Sequence, residues 1–247
     1  VSCVGLLIYT LVKCRDLLPK RCHLRFNRKI LGEICDLSLL TCVQQSAMNF
    51  GILLIQRLVD SFGAVTMAAF AAAVKIDSFA YLPVQDFGNA YSTFVAQNYG
   101  AGKTDRLRGG MRRATMLSAT FSAAVSALVF VFAEPLMRIF VKAKEVEVLA
   151  SGVRYLRIEG AFYVGIGCLF LLYGFYRAVE RPGMSVVLTV VSLGTRVALA
   201  YILAPVIGEV GIWLAIPIGW FLADVIGYGF YALRRGKLLP VRDNQST

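Results

Sequence analysis

Apolar residues run along this chain in long blocks, separated by short intervals rich in polar and basic side chains. A membrane-crossing helix needs about 20 mostly apolar residues. Blocks at 34–58, 64–97, 112–133, 155–176, 184–206 and 211–233 meet that length and predict six transmembrane helices. A shorter block, "VSCVGLLIYTLV", opens the numbering with neither an initiator Met nor a signal peptide ahead of it. It reads as the end of a helix belonging to a longer chain. The pattern therefore predicts an all-α integral membrane fold with four parts. Residues 1–12 end a truncated helix, 13–33 form a basic cytoplasmic loop, 34–233 a six-helix bundle, and 234–247 a cytoplasmic tail.

Composition agrees. The 247 residues are 57% hydrophobic and 17% charged, with a mean hydropathy of +0.66. Soluble domains sit near 45–50% apolar and about 25% charged. A net charge of +11 raises the question of nucleic acid, and its placement answers it. Lys13, Arg15, Lys20, Arg21, Arg25, Arg28 and Lys29 precede the first full span, and Lys103, Arg106, Arg108, Arg112 and Arg113 follow the second. Arg177 and Arg181 follow the fourth span, and Arg234, Arg235, Lys237 and Arg242 the sixth. Basic residues on alternate loops are the positive-inside pattern, which puts the C-terminus in the cytoplasm of a multi-pass plasma (cell inner) membrane protein. The basic excess is topology, and no nucleic-acid partner is expected.

The residues for catalysis are missing. Cys3, Cys14, Cys22, Cys35, Cys42 and Cys168 form no CxxC pair, and His23, the single histidine, sits in a basic loop beside Cys22. No metal-ligand spacing and no triad can be assembled, so neither a metal nor an enzyme is expected. "GAGKT" (Gly100–Thr104) imitates a phosphate loop, but the first glycine of that motif would fall at Gln97, and a membrane helix rather than a strand precedes it. Gly100 and Gly102 read instead as left-handed residues ending a helix.

Polar residues inside the second span carry the functional signal. Lys75, Phe79, Leu82, Asp86, Asn89, Thr93 and Gln97 fall on one face of a helix, and Asp77, Tyr81, Val84, Gly88 and Tyr91 on another. Pro83, between the aspartates, removes a backbone donor and predicts a kink. Charges at membrane depth face a bundle interior or a wet cavity, and kinked helices carrying them are where carriers bind substrates and ions. Asp86 leads this set, with Asp77, Asn89, Tyr81 and Tyr91 beside it. Gln45 and Asn49 of the first full span recur at helical spacing and extend the candidate cavity. Lys75, Glu159, Arg196 and Asp224 are candidate charges paired within the bundle. For Lys75 and Asp77, and for the amides, interhelical glue remains an alternative to a binding role.

The segments "VDSFGAVTMAAFAAAVKIDSFAYLPVQDFGNAYSTFVAQNYGAGKTDRLR", "YGFYRAVERPGMSVVLTVVSLGTRVALAYILA" and "GIWLAIPIGWFLADVIGYGFY" resemble the C-terminal half of a multidrug and toxic compound extrusion (MATE) transporter. The resemblance implies one lobe of a twelve-helix antiporter, partnered by an N-terminal six-helix lobe. It implies no cofactor. Sodium or proton entry would drive expulsion of small organic, often cationic, compounds by alternating access. Some members of that family place a glutamate in the first helix of this half, where Gln45 aligns, and an aspartate within the fourth, where Phe162–Tyr176 holds no acid. Two other readings stay open: a flippase for a lipid-linked saccharide, using Lys75 and Arg196 as cavity bases, and a non-transporting membrane scaffold.

Overall fold

The computed structural model describes residues 2–13 and 27–238. These residues form helices only: α1 (Ser2–Lys13), α2 (Arg28–Asp60), α3 (Ala64–Gly100), α4 (Thr104–Val131), α5 (Ala133–Phe140), α6 (Val146–Gly160), α7 (Tyr163–Ala178), α8 (Pro182–Ile207) and α9 (Glu209–Leu238). Most of the basic loop with Cys14, Cys22 and His23, and most of the tail, lie outside the described residues. Contacts divide the chain into Val1–Leu39 and Leu40–Thr247. The first unit holds α1 and the start of α2, where the Asn27 side chain caps the helix by accepting from the Lys29 and Ile30 amides at 3.0 and 3.4 Å.

The second unit is the bundle. Five helices are long and apolar enough to cross a membrane, six when α6 and α7 count as one span. The expected fourth span, 155–176, is this bent pair, turning through 53° at Ala161–Phe162. No proline causes the turn. Phe162 N–H donates to Glu159 O at 3.0 Å and Gly165 N–H to Phe162 O at 2.9 Å, and these tight turns redirect the chain. By contrast α3 runs as one continuous helix through Pro83. It ends as "GAGKT" suggested, with one refinement: Gly102 is left-handed at φ 69°, whereas Gly100 still belongs to the helix.

Between membrane helices, lipid is as apolar as the interior, so close packing replaces the hydrophobic effect as the main attraction and small residues mark the contacts. Ala69, Ala72, Ala73, Ala80 and Gly88 form the buried face of α3. α3 and α7 cross with backbones nearly touching: a Cβ on Gly174 would stand 2.5 Å from Gly88 O. α8 and α9, reversed at Gly208 (φ 66°), repeat the device at Gly219, whose Cβ would meet Ser192 O at 2.4 Å. Phe70 of α3 stacks on Trp213 of α9 at 5.6 Å, and Tyr155 of α6 meets Trp213 edge-on at 4.8 Å. Near this cluster, Glu209 accepts from Ser151 at 2.8 Å and Thr66 at 3.3 Å and pairs with Arg154 at 3.4 Å. One carboxylate thus joins α3, α6 and α9.

Candidate functional site

The bend between α6 and α7 brings acids and phenols together. Glu159 lies in the last turn of α6, one turn after Tyr155, and Tyr163 opens α7 just past the bend. Opposite them, Asp77 projects from the buried face of α3 and accepts a hydrogen bond from the Tyr163 hydroxyl. The Tyr155 side chain lines the same wall beside both carboxyl groups. Asp77 is 3% exposed and Glu159 6%. One oxygen of each, Asp77 Oδ2 and Glu159 Oε2, has no hydrogen-bond partner among the described residues. Arg196 of α8 supplies the positive charge that acts on both acids.

These groups line one side of a cavity of about 340 Å³. Tyr81 and Gln85 continue the α3 wall below Asp77, Phe170 and Tyr173 the α7 wall, and Trp220 of α9 and Ser192 of α8 close the back. Gln45, Asn49 and Gln56 of α2 line the remaining side. A smaller polar extension of about 180 Å³ adds Thr41, Gln44, Asn89 and Arg177, where the Arg177 guanidinium donates to Asn89 Oδ1 at 3.5 Å. Gln44 donates to Thr189 at 3.0 Å. Tyr81 stacks on Phe170 with ring centres 6.5 Å apart, giving the cavity an aromatic wall.

The residues read from the sequence scatter. Gln45, Asn49, Asp77 and Tyr81 line the cavity, and Asn89 its extension. Asp86, expected to lead the site, is exposed and lines neither space. Most of its face turns outward on the described bundle, including Lys75, Thr93 and Gln97, with Phe79 78% exposed. Tyr91 packs away from the cavity, its hydroxyl on Met111 Sδ at 3.5 Å and its ring on Phe94 at 6.2 Å. Lys75 Nζ sits 5.9 Å from the Phe140 ring centre rather than against an acid. Glu159 and Arg196, taken as bundle charges, belong to the cavity, whereas Asp224 sits beside Gly165. Tyr155, Tyr163, Gln85, Tyr173 and Arg177 were not among the candidates. For Tyr155 and Tyr163 the signal was spacing from Glu159: the three recur every four residues in "YLRIEGAFY".

A bent helix pair, a cavity with buried acids at membrane depth and an all-helical six-span bundle define one lobe of a membrane carrier. The MatE family model matches residues 41–202, and the chain belongs to this family of multi-pass membrane transporters. It is similar to the probable multidrug resistance protein YpnP of Bacillus subtilis, 26% identical over 81% of this chain and 44% of that protein. The probable multidrug resistance protein NorM of Thermotoga maritima is 22% identical over 90% of this chain and 47% of its own length. Among solved structures, a MOP-superfamily transporter of Pyrococcus furiosus superposes with a TM-score of 0.87 at 21% identity, over 94% of this chain and 53% of that one. A MATE transporter solved in complex with MaL6 gives 0.86 at 20% identity, over 94% and 53%. The chain spans about half the length of the curated relatives it matches.

Proposed function

We propose that this bundle is one lobe of a cation-coupled exporter of small organic, often cationic, compounds, and that it shares its cavity with a second six-helix lobe. The observation that carries this reading is a charge imbalance: two buried carboxyl groups, Asp77 and Glu159, face one guanidinium, Arg196. With both acids ionised the cluster is one positive charge short, and a charge left uncompensated at this depth is costly. One monovalent cation, sodium or a proton, completes it. Tyr81 and Phe170 offer ring faces to a cationic aromatic substrate, and Gln45, Asn49 and Gln85 offer hydrogen bonds. In this reading the Glu209 end faces outward and the tail lies in the cytoplasm of the plasma membrane, as the basic loops direct. The flippase reading needs cavity bases to hold a pyrophosphate, and of Lys75 and Arg196 only Arg196 lines the cavity.

The test is gradient-driven export by the intact transporter in proteoliposomes, with a sodium gradient and a pH gradient imposed separately. Ethidium should move against its own gradient when one of them is applied. Movement that depends on neither gradient overturns ion coupling.

A further inference from the structure

On the far side of α3 from the cavity, a groove of about 840 Å³ runs between the end of α3 and the start of α4. Phe87, Tyr91 and Phe94 form its α3 wall. Phe87 and Phe94 come two and nine residues after Gln85, a cavity residue, and so stand about 180–200° round the helix from it. On α4, Arg106 and Arg113 lie two turns apart on one face, about 10 Å along the axis, with Gly109 and Gly110 between them. At Gly110 a Cβ would stand 2.5 Å from Phe94 Cε1, whereas Gly109 has nothing within 4 Å of an added Cβ. The Phe94 ring therefore rests against one glycine, and the other leaves a hollow between two guanidinium groups.

Those guanidinium groups lack a counter-charge. Neither Arg106 nor Arg113 forms an ion pair or hydrogen bond among the described residues. Asp105, which also lines the groove, is 97% exposed and pairs with Arg108 at 3.9 Å. In the orientation that the basic loops direct, this end of the helix pair lies at the cytoplasmic headgroups. Phe87 and Leu117 line the groove further from the α3–α4 turn, at acyl-chain depth. The groove thus carries positive charge at headgroup level and apolar walls beneath it.

That polarity selects the occupant. The chain segment 14–26 carries Arg15, Lys20, Arg21 and Arg25 against Asp16, so like charge keeps it from satisfying the arginines. A second lobe that shares the cavity lies across the bundle from the groove. A snorkelling arginine reaches water without a hollow or an aromatic wall beside it. Basic pockets between membrane helices on the cytoplasmic side take anionic lipid headgroups, and the volume falls within the about 300–1,000 Å³ of ligand sites. We propose that the α3–α4 groove binds one anionic phospholipid of the cytoplasmic leaflet. Its phosphate lies between Arg106 and Arg113 over Gly109, and its chains run along Phe87 and Leu117. The proposal rests on the membrane orientation of the proposed function, and not on ion coupling or on the cavity acids.

Native mass spectrometry of the purified intact transporter tests it, with phosphatidylglycerol and phosphatidylcholine of identical chains titrated separately. Phosphatidylglycerol should bind the more tightly. Arg106→Gln/Arg113→Gln should weaken its binding about 25-fold, because each base near an anionic headgroup is worth about fivefold. Lys103→Gln/Arg112→Gln removes the same charge outside the groove and should have far less effect. Gly109→Leu fills the hollow with the charge unchanged, and leucine is the better helix former, so this variant should fold and also bind the lipid weakly. Glycerol phosphate, which has the headgroup charge without chains, should not displace the lipid. Displacement by it at equal concentration assigns the groove to a free phosphate ester and overturns the proposal. Equal losses in the two double variants, or undiminished binding by Gly109→Leu, overturn it as well. So does equal binding of the two lipids by the parent, the result expected of a groove covered by the second lobe. None of these measurements involves transport, so a failed export reading and a failed lipid site are told apart.

Discussion

Gradient-driven export of ethidium should fall about a hundredfold, or roughly 3 kcal/mol, when Asp77 and Glu159 are neutralised together as Asp77→Asn/Glu159→Gln in the intact transporter. The two substitutions keep the local shape. An Asn at 77 still accepts from the Tyr163 hydroxyl, and a Gln at 159 still reaches Tyr155. What disappears is the negative charge that attracts the coupling ion and balances Arg196. Each single variant should already lose more than half of the double variant's free-energy effect, because one remaining acid balances the Arg196 charge and leaves none for a cation to complete. Such non-additivity is the mark of groups sharing one network. Removing both partners leaves a buried guanidinium uncompensated, which by itself costs about 3–5 kcal/mol in typical cases. Adding Arg196→Met removes that penalty, so the triple variant should recover thermal stability without recovering ion-driven export. A double variant that still exports ethidium under an ion gradient within about twofold of the parent would sink the cluster as the coupling site, since a hundredfold effect is the energy of a lost charge interaction.

The bundle was legible in the sequence at one level and opaque at another. Hydropathy finds the spans because only helices satisfy their own backbone in hydrocarbon, and blocks such as 184–206 announce themselves. The same argument made the polar face of α3 stand out, and it directed attention to Asp86. Hydropathy cannot tell the inside of a membrane bundle from its outside, because both are apolar. The packed face of α3 is written in small residues, Ala69, Ala73, Ala80 and Gly88, and Asp77 lies among them whereas Asp86 does not. A search for alanine and glycine spacing would have chosen the aspartate that lines the cavity. The bend ahead of α7 was hidden for a different reason. It needs no proline, only tight turns around Glu159–Gly165 that tertiary packing stabilises. With the bend, Glu159 closes α6 on the wall of the cavity that Asp77 also lines.

Gly174→Ala should lower the melting temperature of the purified intact transporter by about 2–12 °C, the shift that an overpacking cost of about 1–3 kcal/mol gives for a bundle of this size. The added methyl would stand 2.5 Å from Gly88 O, and a methyl on Gly88 would stand 2.9 Å from Phe170 O. Both obstacles are backbone atoms, so no side chain can swing aside and the helices themselves must part. Parting them reaches the site. Gly88 and Gly174 lie the same number of residues after Asp77 and Tyr163, so one register between two parallel helices governs both contacts, about 16 Å apart along the pair. The bond from Tyr163 to Asp77 should therefore loosen with the crossing, and ethidium export should weaken beyond what the lost protein accounts for. Gly194→Ala is the control. It lies inside α8 with nothing within 4 Å of an added Cβ, and removing a helix glycine in such a place is neutral or gains up to about 1 kcal/mol. A Gly174→Ala protein that melts within about 1 °C of the parent would show that the helices yield at negligible cost, well under the usual penalty for overpacking. In that case the α3–α7 crossing does not fix the register on which the acid and the phenol meet.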